Sequence, residues 1–140
     1  MYYNKHNQRV GKKGEKCAEK YLRKKGYLFV ARNYWGFFGE IDLIFWRNFT
    51  LVFVEVKTRS GKEYGTGREA VDEAKKRNII NASKDFIKSH CENKAVPFYL
   101  WKLPIRLKYR KIRFDVIEVA SNESLEKYEI NAHLKGYFSY

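Results

Sequence analysis

The sequence predicts an α/β fold: a mixed central β-sheet flanked by helices, in the order α-β-β-β-α-β with one further short element. Three observations predict it. Residues 40–47 and 50–58 are apolar on both faces, as strands covered on both sides are, and helices are the usual cover. Residues 8–25 and 69–90 instead repeat apolar and small residues at helical spacing. The chain has 140 residues, the size of one domain, so these elements share one core.

Each element has its own signal. Residues 1–7 are polar and read as a flexible tail. In 8–25, Gly11, Gly14, Ala18, Tyr21, Leu22 and the stem of Lys25 fall on one stripe, and Gly26 sits where a C-terminal glycine cap belongs. The stripe is narrow and rich in small residues, so another element can approach closely. Residues 27–34 read as a strand, and the sequence WGFFG then turns the chain. A tight turn at Asn48 and Phe49 pairs Arg47 with Thr50. It puts Ile41, Leu43, Phe45, Val52, Val54 and Val56 on one face, and Ile44, Trp46, Leu51 and Phe53 on the other. Residues 60–68 form a glycine-rich loop. The helix 69–90 gathers Val71, Ala74, Ile79, Ala82 and Phe86 on one face. Pro97 and Pro104 break any long helix in 93–111. There Ile105, Leu107 and Tyr109 alternate with Arg106, Lys108 and Arg110, the pattern of an edge strand or extended loop with one basic face, read as a basic insertion. Residues 112–120 read as a strand, and 124–140 as a last short strand or helix end.

Lysine and arginine number 29 against 16 acidic residues, a formal charge of +13. Such an excess favours a polyanionic partner, most often nucleic acid, with solubility as the plainer reading. No strong basic amphipathic helix or lipidation signal points to a membrane surface. No apolar run is long enough to span a membrane, and residues 1–9 lack the apolar region of a signal peptide. Cys17 and Cys91 lie far apart, match no zinc spacing and fit a reducing compartment. A cytoplasmic protein is expected, with Cys17 as a small core residue.

The chemistry concentrates in residues 39–59. The turn register sets Asp42 opposite Glu55 and Glu40 opposite Lys57, all on one face. Like charges at directly opposed positions, about 5 Å apart at Cβ, repel unless a cation sits between them. Paired carboxylates on adjacent strands suit a hard divalent cation bound through oxygen, with places left for water and a phosphate. Lys57 can hold the attacking water or stabilise charge on phosphorus-bound oxygens. A structural ion-pair cluster of Glu40, Asp42, Glu55 and Lys57 is the alternative. Glu15 lies at the edge of the first helix's buried stripe. Lys75 lies within the second helix's apolar stripe, where a lysine either snorkels or reaches an anion. Arg113 and Asp115 share a strand face and read as a salt bridge. His6, His90 and His133 form no ligand or triad spacing. The sequence GTGREA enters the second helix and can offer backbone amides to a phosphate. Tyr34, Trp35, Phe37 and Phe38 can stack on bases or pack in the core.

Several short segments then combine: Gly11-x-x-Gly14-Glu15-x-x-Ala18-x-x-Tyr21-Leu22, Gly26-Tyr27, Arg32-Asn33, and Gly39-Glu40-Ile41-Asp42-Leu43-Ile44. After them come Phe53-Val54-Glu55-Val56-Lys57 with Arg59, then Ala70-Val71, Lys75 and Arg113-Phe114-Asp115-Val116. Together they resemble the YraN family of small bacterial proteins, closely over residues 8–90 and more loosely over 112–138. That family resembles the restriction-endonuclease-like superfamily, archaeal Holliday-junction resolvases above all. The resemblance implies a restriction-endonuclease-like fold with a site of PD-(D/E)xK type. Asp42 matches the motif's aspartate, Glu55 its second acid and Lys57 its lysine. Glu15 matches the first-helix acid of the resolvase branch, and Lys75 the polar residue often placed on the following helix. Ile41 stands where the motif has proline, and 93–111 is longer and more basic than the family's usual segment.

The expectation is a Mg²⁺- or Mn²⁺-dependent endonuclease acting on DNA, branched or structured DNA included. Asp42, Glu55 and Glu15 would serve the metal, and Lys57 the nucleophile, supported by Glu40 and Lys75. Arg59, Arg68, Arg106, Lys108 and Arg110 would hold phosphates. Symmetric cutting of two strands favours a homodimer. The alternatives are a non-catalytic nucleic-acid-binding module that keeps the motif, and a basic structural protein with an ion-pair cluster.

Overall fold

In the computed structural model, which describes residues 2–60, 71–122, 124 and 126–140, a first helix precedes a three-stranded meander. These are α1 (Tyr2–Lys24), β1 (Leu28–Trp35), β2 (Glu40–Arg47) and β3 (Thr50–Ser60). Then come α2 (Glu73–His90), a hairpin of β4 (Ala95–Leu100) and β5 (Leu103–Lys108), β6 (Lys111–Ser121) and β7 (Tyr128–Phe138). The main sheet has the order β1-β2-β3-β6-β7 and is mixed: β3 pairs with β6 in parallel, and the other neighbours are antiparallel. The parallel pair requires a crossover, and α2 with the β4–β5 hairpin supplies it.

The sheet is apolar on both faces, and helices cover both, as expected. Ala18 and Leu22 of α1 pack with Tyr27, Leu43, Phe45, Val52, Val54, Ile117 and Val119. Ile79, Ala82 and Phe86 of α2 pack with Ile44, Leu51, Phe53, Phe114 and Val116 on the other side. Ile41, assigned by alternation to the α1 face, packs in the α2-side group instead.

The helix ends follow local chemistry. Gly26 has φ +87°, its N–H donates to Arg23 O at 3.1 Å, and the Tyr27 N–H donates to Leu22 O at 3.0 Å. These two bonds are a Schellman cap, which a glycine closes without steric cost. α1 begins at Tyr2, so it takes in residues that read as a tail. α2 begins at Glu73 rather than at 69, because the Asp72 side chain accepts the Lys75 N–H at 2.7 Å and caps the helix there.

Two expectations about element number are corrected. Within 93–111, where the alternation over 104–111 gave one edge strand or extended loop, β4 and β5 form a separate two-stranded sheet turning at Trp101 and Lys102, both at positive φ. Its buried Val96, together with Tyr109 just after it, joins the α2-side core, and Trp46 Nε1 donates to Lys108 O at 2.8 Å. The tail is no short element: β7 runs for 11 residues along β6. A buried anchor explains that length. Asp115 accepts two 2.8 Å bonds from Arg113, a 3.0 Å bond from the Gly136 N–H and a 2.7 Å contact from His133 Nε2. The expected Arg113–Asp115 bridge is therefore present and belongs to a larger network. Among the described residues no helix is long and apolar enough to cross a membrane.

Candidate active site

The turn register holds where the sequence set it: Arg47 pairs with Thr50, and the ladder runs to Leu43 and Val54. One step further, where that register would set Asp42 against Glu55, the backbone pairing stops and a side chain takes its place. Asp42 Oδ2 accepts the Val56 N–H at 2.8 Å. The ladder therefore ends in a carboxylate inserted beside Glu55.

Glu55 is 4% exposed, and its Oε2 is buried without a hydrogen-bond partner. Its Oε1 faces Lys57 Nζ at 3.6 Å and Lys75 Nζ at 3.5 Å. Burial, and then the Asp42 charge, push the Glu55 pKa up to about 8 against the pull of both lysines. Burial raises Asp42 too, although the Val56 N–H and a hydrogen bond with Glu55 work the other way. An unpartnered buried carboxylate oxygen is costly, and a proton or a cation relieves it.

Two more acids approach from the α1 side. Burial, then the charges of Asp42 and Glu40, raise Glu15 to about 7. Glu40 is raised by burial and by Asp42. Asn33 links this pair: with its amide turned to suit its neighbours, Nδ2 donates to Glu40 Oε1 at 2.9 Å and to Glu15 Oε2 at 3.1 Å. Asn33 has φ 48°, a left-handed conformation that asparagine tolerates better than most residues. α1 can come this close because Gly14 lies directly against Thr58 of β3.

All five residues expected to carry catalysis, Glu15, Asp42, Glu55, Lys57 and Lys75, therefore meet at one end of the β2–β3 hairpin, with Glu40 beside them. Lys75 reaches an anion rather than snorkelling. Among the described residues no three His, Cys, Asp or Glu side chains converge tightly enough to hold a metal ion as they stand. Asp42 and Glu55 are the close pair, with Glu15 tied to Asn33. Magnesium is commonly held by one or two carboxylates plus water and substrate phosphate. The orphaned Glu55 oxygen and the raised carboxyl pKa values fit such an ion.

The basic residues divide. Arg59 lies on β3 two residues beyond Lys57, level with Ala120 of β6. Arg68 and the GTGREA loop lie outside the described residues. Arg106, Lys108 and Arg110 are not brought to the carboxylates. Arg110 N–H donates to Phe49 O at the turn end of β3, about 26 Å of strand from Lys57. Arg106 pairs with Glu92 at 3.7 Å, just past the far end of α2.

Two features escaped the sequence reading. Asn33 gave no chemical signal, since only folding sets its amide between two acids. A groove of about 1220 Å³ beside α1 is lined by Glu15 and Asn33 together with Lys12, Lys16, Lys20 and Arg32. The lysine spacing of four on α1 was its available signal; Glu19, Glu126 and Glu129 line the groove as well, and Glu19 pairs with Arg32 at 2.8 Å.

Comparison with known proteins agrees over most of the chain. The model of a family described as Uncharacterised protein family UPF0102 matches residues 14–119. A UPF0102 protein of Alkaliphilus oremlandii is 40% identical over 132 residues, covering 94% of this chain and 99% of that one. One from Clostridium beijerinckii is 37% identical over 132 residues, 94% of each chain. One from Persephonella marina is 39% identical over 112 residues, 80% of this chain and 84% of its own.

Proposed function

Since this chain belongs to the uncharacterised protein family UPF0102, its activity has to be argued from its site, and we propose that it is a divalent-metal-dependent endonuclease of PD-(D/E)xK type that hydrolyses phosphodiesters in DNA. One observation carries the reading: the buried, unpartnered Glu55 oxygen beside Asp42, with Lys57 and Lys75 against the same carboxylate. Asp42 and Glu55 would hold Mg²⁺ or Mn²⁺, with Glu15 assisting. The bound ion would polarise the phosphoryl group and favour hydroxide at neutral pH. Lys57 positions the attacking water, and Lys75 offsets charge on the phosphorus-bound oxygens. Asn33 and Glu40 keep Glu15 in place. The α1 lysines and Arg59 bind the backbone of the strand, and two copies related by a two-fold axis would serve both strands of a branched or duplex substrate.

One observation favours a second reading, a nucleic-acid-binding module that no longer cuts. Lys57 and Lys75 already stand against the Glu55 carboxyl, on the side where a metal ion would otherwise bring positive charge. The two readings separate when purified protein is incubated with supercoiled, single-stranded and four-way-junction DNA in Mg²⁺, Mn²⁺ or EDTA. The enzyme gives metal-dependent nicking that is lost in both Asp42→Ala and Lys57→Ala. Salt-sensitive binding without cutting in either metal supports the module. Cutting that survives both substitutions belongs to a contaminant.

A further inference from the structure

The end of β1 and the loop leading to β2 present three large aromatic side chains to solvent: Trp35, Phe37 and Phe38 are 72%, 89% and 52% exposed. Their backbone is fixed. The Gly36 N–H donates to Gly39 O at 2.8 Å, and the Phe37 N–H donates to Asp85 Oδ2 at 3.0 Å. Gly36 lies so close to α2 that a Cβ on it would sit 3.1 Å from Ala82 Cα, and one on Gly39 would sit 3.3 Å from Asn78 Cβ. The rings of Phe37 and Phe38 stand edge to face with centroids 5.0 Å apart. Rings held outward on an anchored backbone are preorganised for a flat partner.

Position names that partner. Asn78, Ala82 and Asp85 continue the stripe of α2 that begins at Lys75, at spacings of three, seven and ten residues. The loop thus stands one to three helical turns from the ammonium that touches Glu55, about 5–15 Å along the helix. The residue after the loop is Glu40, one of the clustered acids. Exposed Arg77 adjoins Asn78, and the chain carries a charge of +13, which suits a polyanion rather than an apolar protein surface.

We propose that Trp35, Phe37 and Phe38 form a stacking platform for unpaired bases, so that the strand presented to the acid cluster is single-stranded or locally unpaired there. Bases inside a duplex already stack on each other. Free bases of any sequence gain from an aromatic ring. The inference rests on the nucleic-acid reading above and is independent of whether the site cuts.

The test is binding in EDTA, where metal-dependent cleavage is blocked. Fluorescence anisotropy with labelled oligonucleotides of one length compares a single strand, a blunt duplex and a duplex with an unpaired flap. Expected is about tenfold tighter binding to the unpaired substrates, reduced to the duplex level in Phe37→Ala/Phe38→Ala at unchanged melting temperature. Quenching of tryptophan emission by the single strand should shrink in Trp35→Phe. Equal affinity for single strand and duplex overturns the proposal, as does a preference that survives the double substitution. Self-association of the wild type that the double variant abolishes, without any change in binding preference, assigns the loop to a second copy of the chain and also overturns it. Absence of cutting in Mg²⁺ and Mn²⁺, with the phenylalanine-dependent preference intact, removes the endonuclease and leaves the platform standing.

Discussion

Gly14 of α1 lies against Thr58 of β3 so closely that a methyl group on Gly14 would overlap the threonine hydroxyl and come within 2.9 Å of Thr58 Cβ. This contact sets the height of α1 above the sheet, and Glu15 is the next residue. Glycine to alanine in a helix ordinarily gains up to about 1 kcal/mol. Here the overlap reverses the sign. Gly14→Ala is expected to cost about 1–3 kcal/mol in denaturant titrations, with part of the loss restored by adding Thr58→Ala. Gly11→Ala is the control. A Cβ there meets nothing within 4 Å, so it should be neutral or stabilising.

The acid cluster makes the stability of the metal-free protein depend on pH. Glu15 and Glu55 hold pKa values of about 7 and about 8 in the fold, against 4.5 for an ordinary glutamate. A carboxyl raised on folding stabilises while protonated. That contribution is full below about pH 4.5 and is lost as pH rises through the folded values. In EDTA the melting temperature should fall by on the order of 10 °C between about pH 5 and pH 8, and Glu55→Gln should flatten that fall. Mn²⁺ should raise the melting temperature more at the higher pH. An equal metal effect in Glu55→Gln would remove Glu55 from the ion's ligands.

Asp115 gives the opposite dependence. Its burial alone would raise the carboxyl, but bonds from His133, Arg113 and the Gly136 N–H outweigh burial and hold it below the usual aspartate value. Its contribution is present above about pH 4 and is lost as pH falls through the lowered value. Asp115→Ala breaks a buried charge pair and removes the anchor of β7, an expected loss of about 3–5 kcal/mol. Circular dichroism through an acid titration should show the variant unfolding at higher pH than the wild type.

Asn33 positions two acids without being one of them. Asn33→Gly keeps the left-handed backbone and deletes the amide. Metal-dependent cleavage should then fall about 10–100-fold, the usual cost of losing a partner that orients a ligand. Asn33→Ala should lose as much activity and also about 1–2 kcal/mol of stability, because alanine pays for positive φ. Single-turnover cleavage and thermal melts separate the two effects. Unchanged cleavage in both variants would leave Asn33 without a part in the site.

The parts legible in the sequence rest on short-range periodicity. Alternation through a two-residue turn set Arg47 against Thr50 and brought Asp42 level with Glu55, because strand geometry propagates register residue by residue. Helical spacing placed Lys75 in an apolar stripe, and Gly26 announced the end of α1. The β4–β5 hairpin was obscured because two prolines mask strand pairing, and its turn uses Trp101 and Lys102 at positive φ, residues that carry no turn signal. The length of β7 depends on Asp115, Arg113, His133 and Gly136 meeting across more than 20 positions of chain, and nothing local records that.

The sequence by itself determined the family, the two-faced sheet, the covering helices and the identity of the clustered charges. Only the tertiary structure decided that Asp42 takes the Val56 N–H in place of ladder pairing, that one Glu55 oxygen is left without a partner, and that Asn33 spans Glu15 and Glu40. It also decided that Arg106, Lys108 and Arg110 lie away from the site and that the Trp35–Phe38 loop stands beside it. The physical reason is common to all of these. Residue type and spacing fix which face a side chain takes, whereas burial, hydrogen-bond satisfaction and pKa depend on neighbours that the chain brings together only when α1, α2 and the sheet pack.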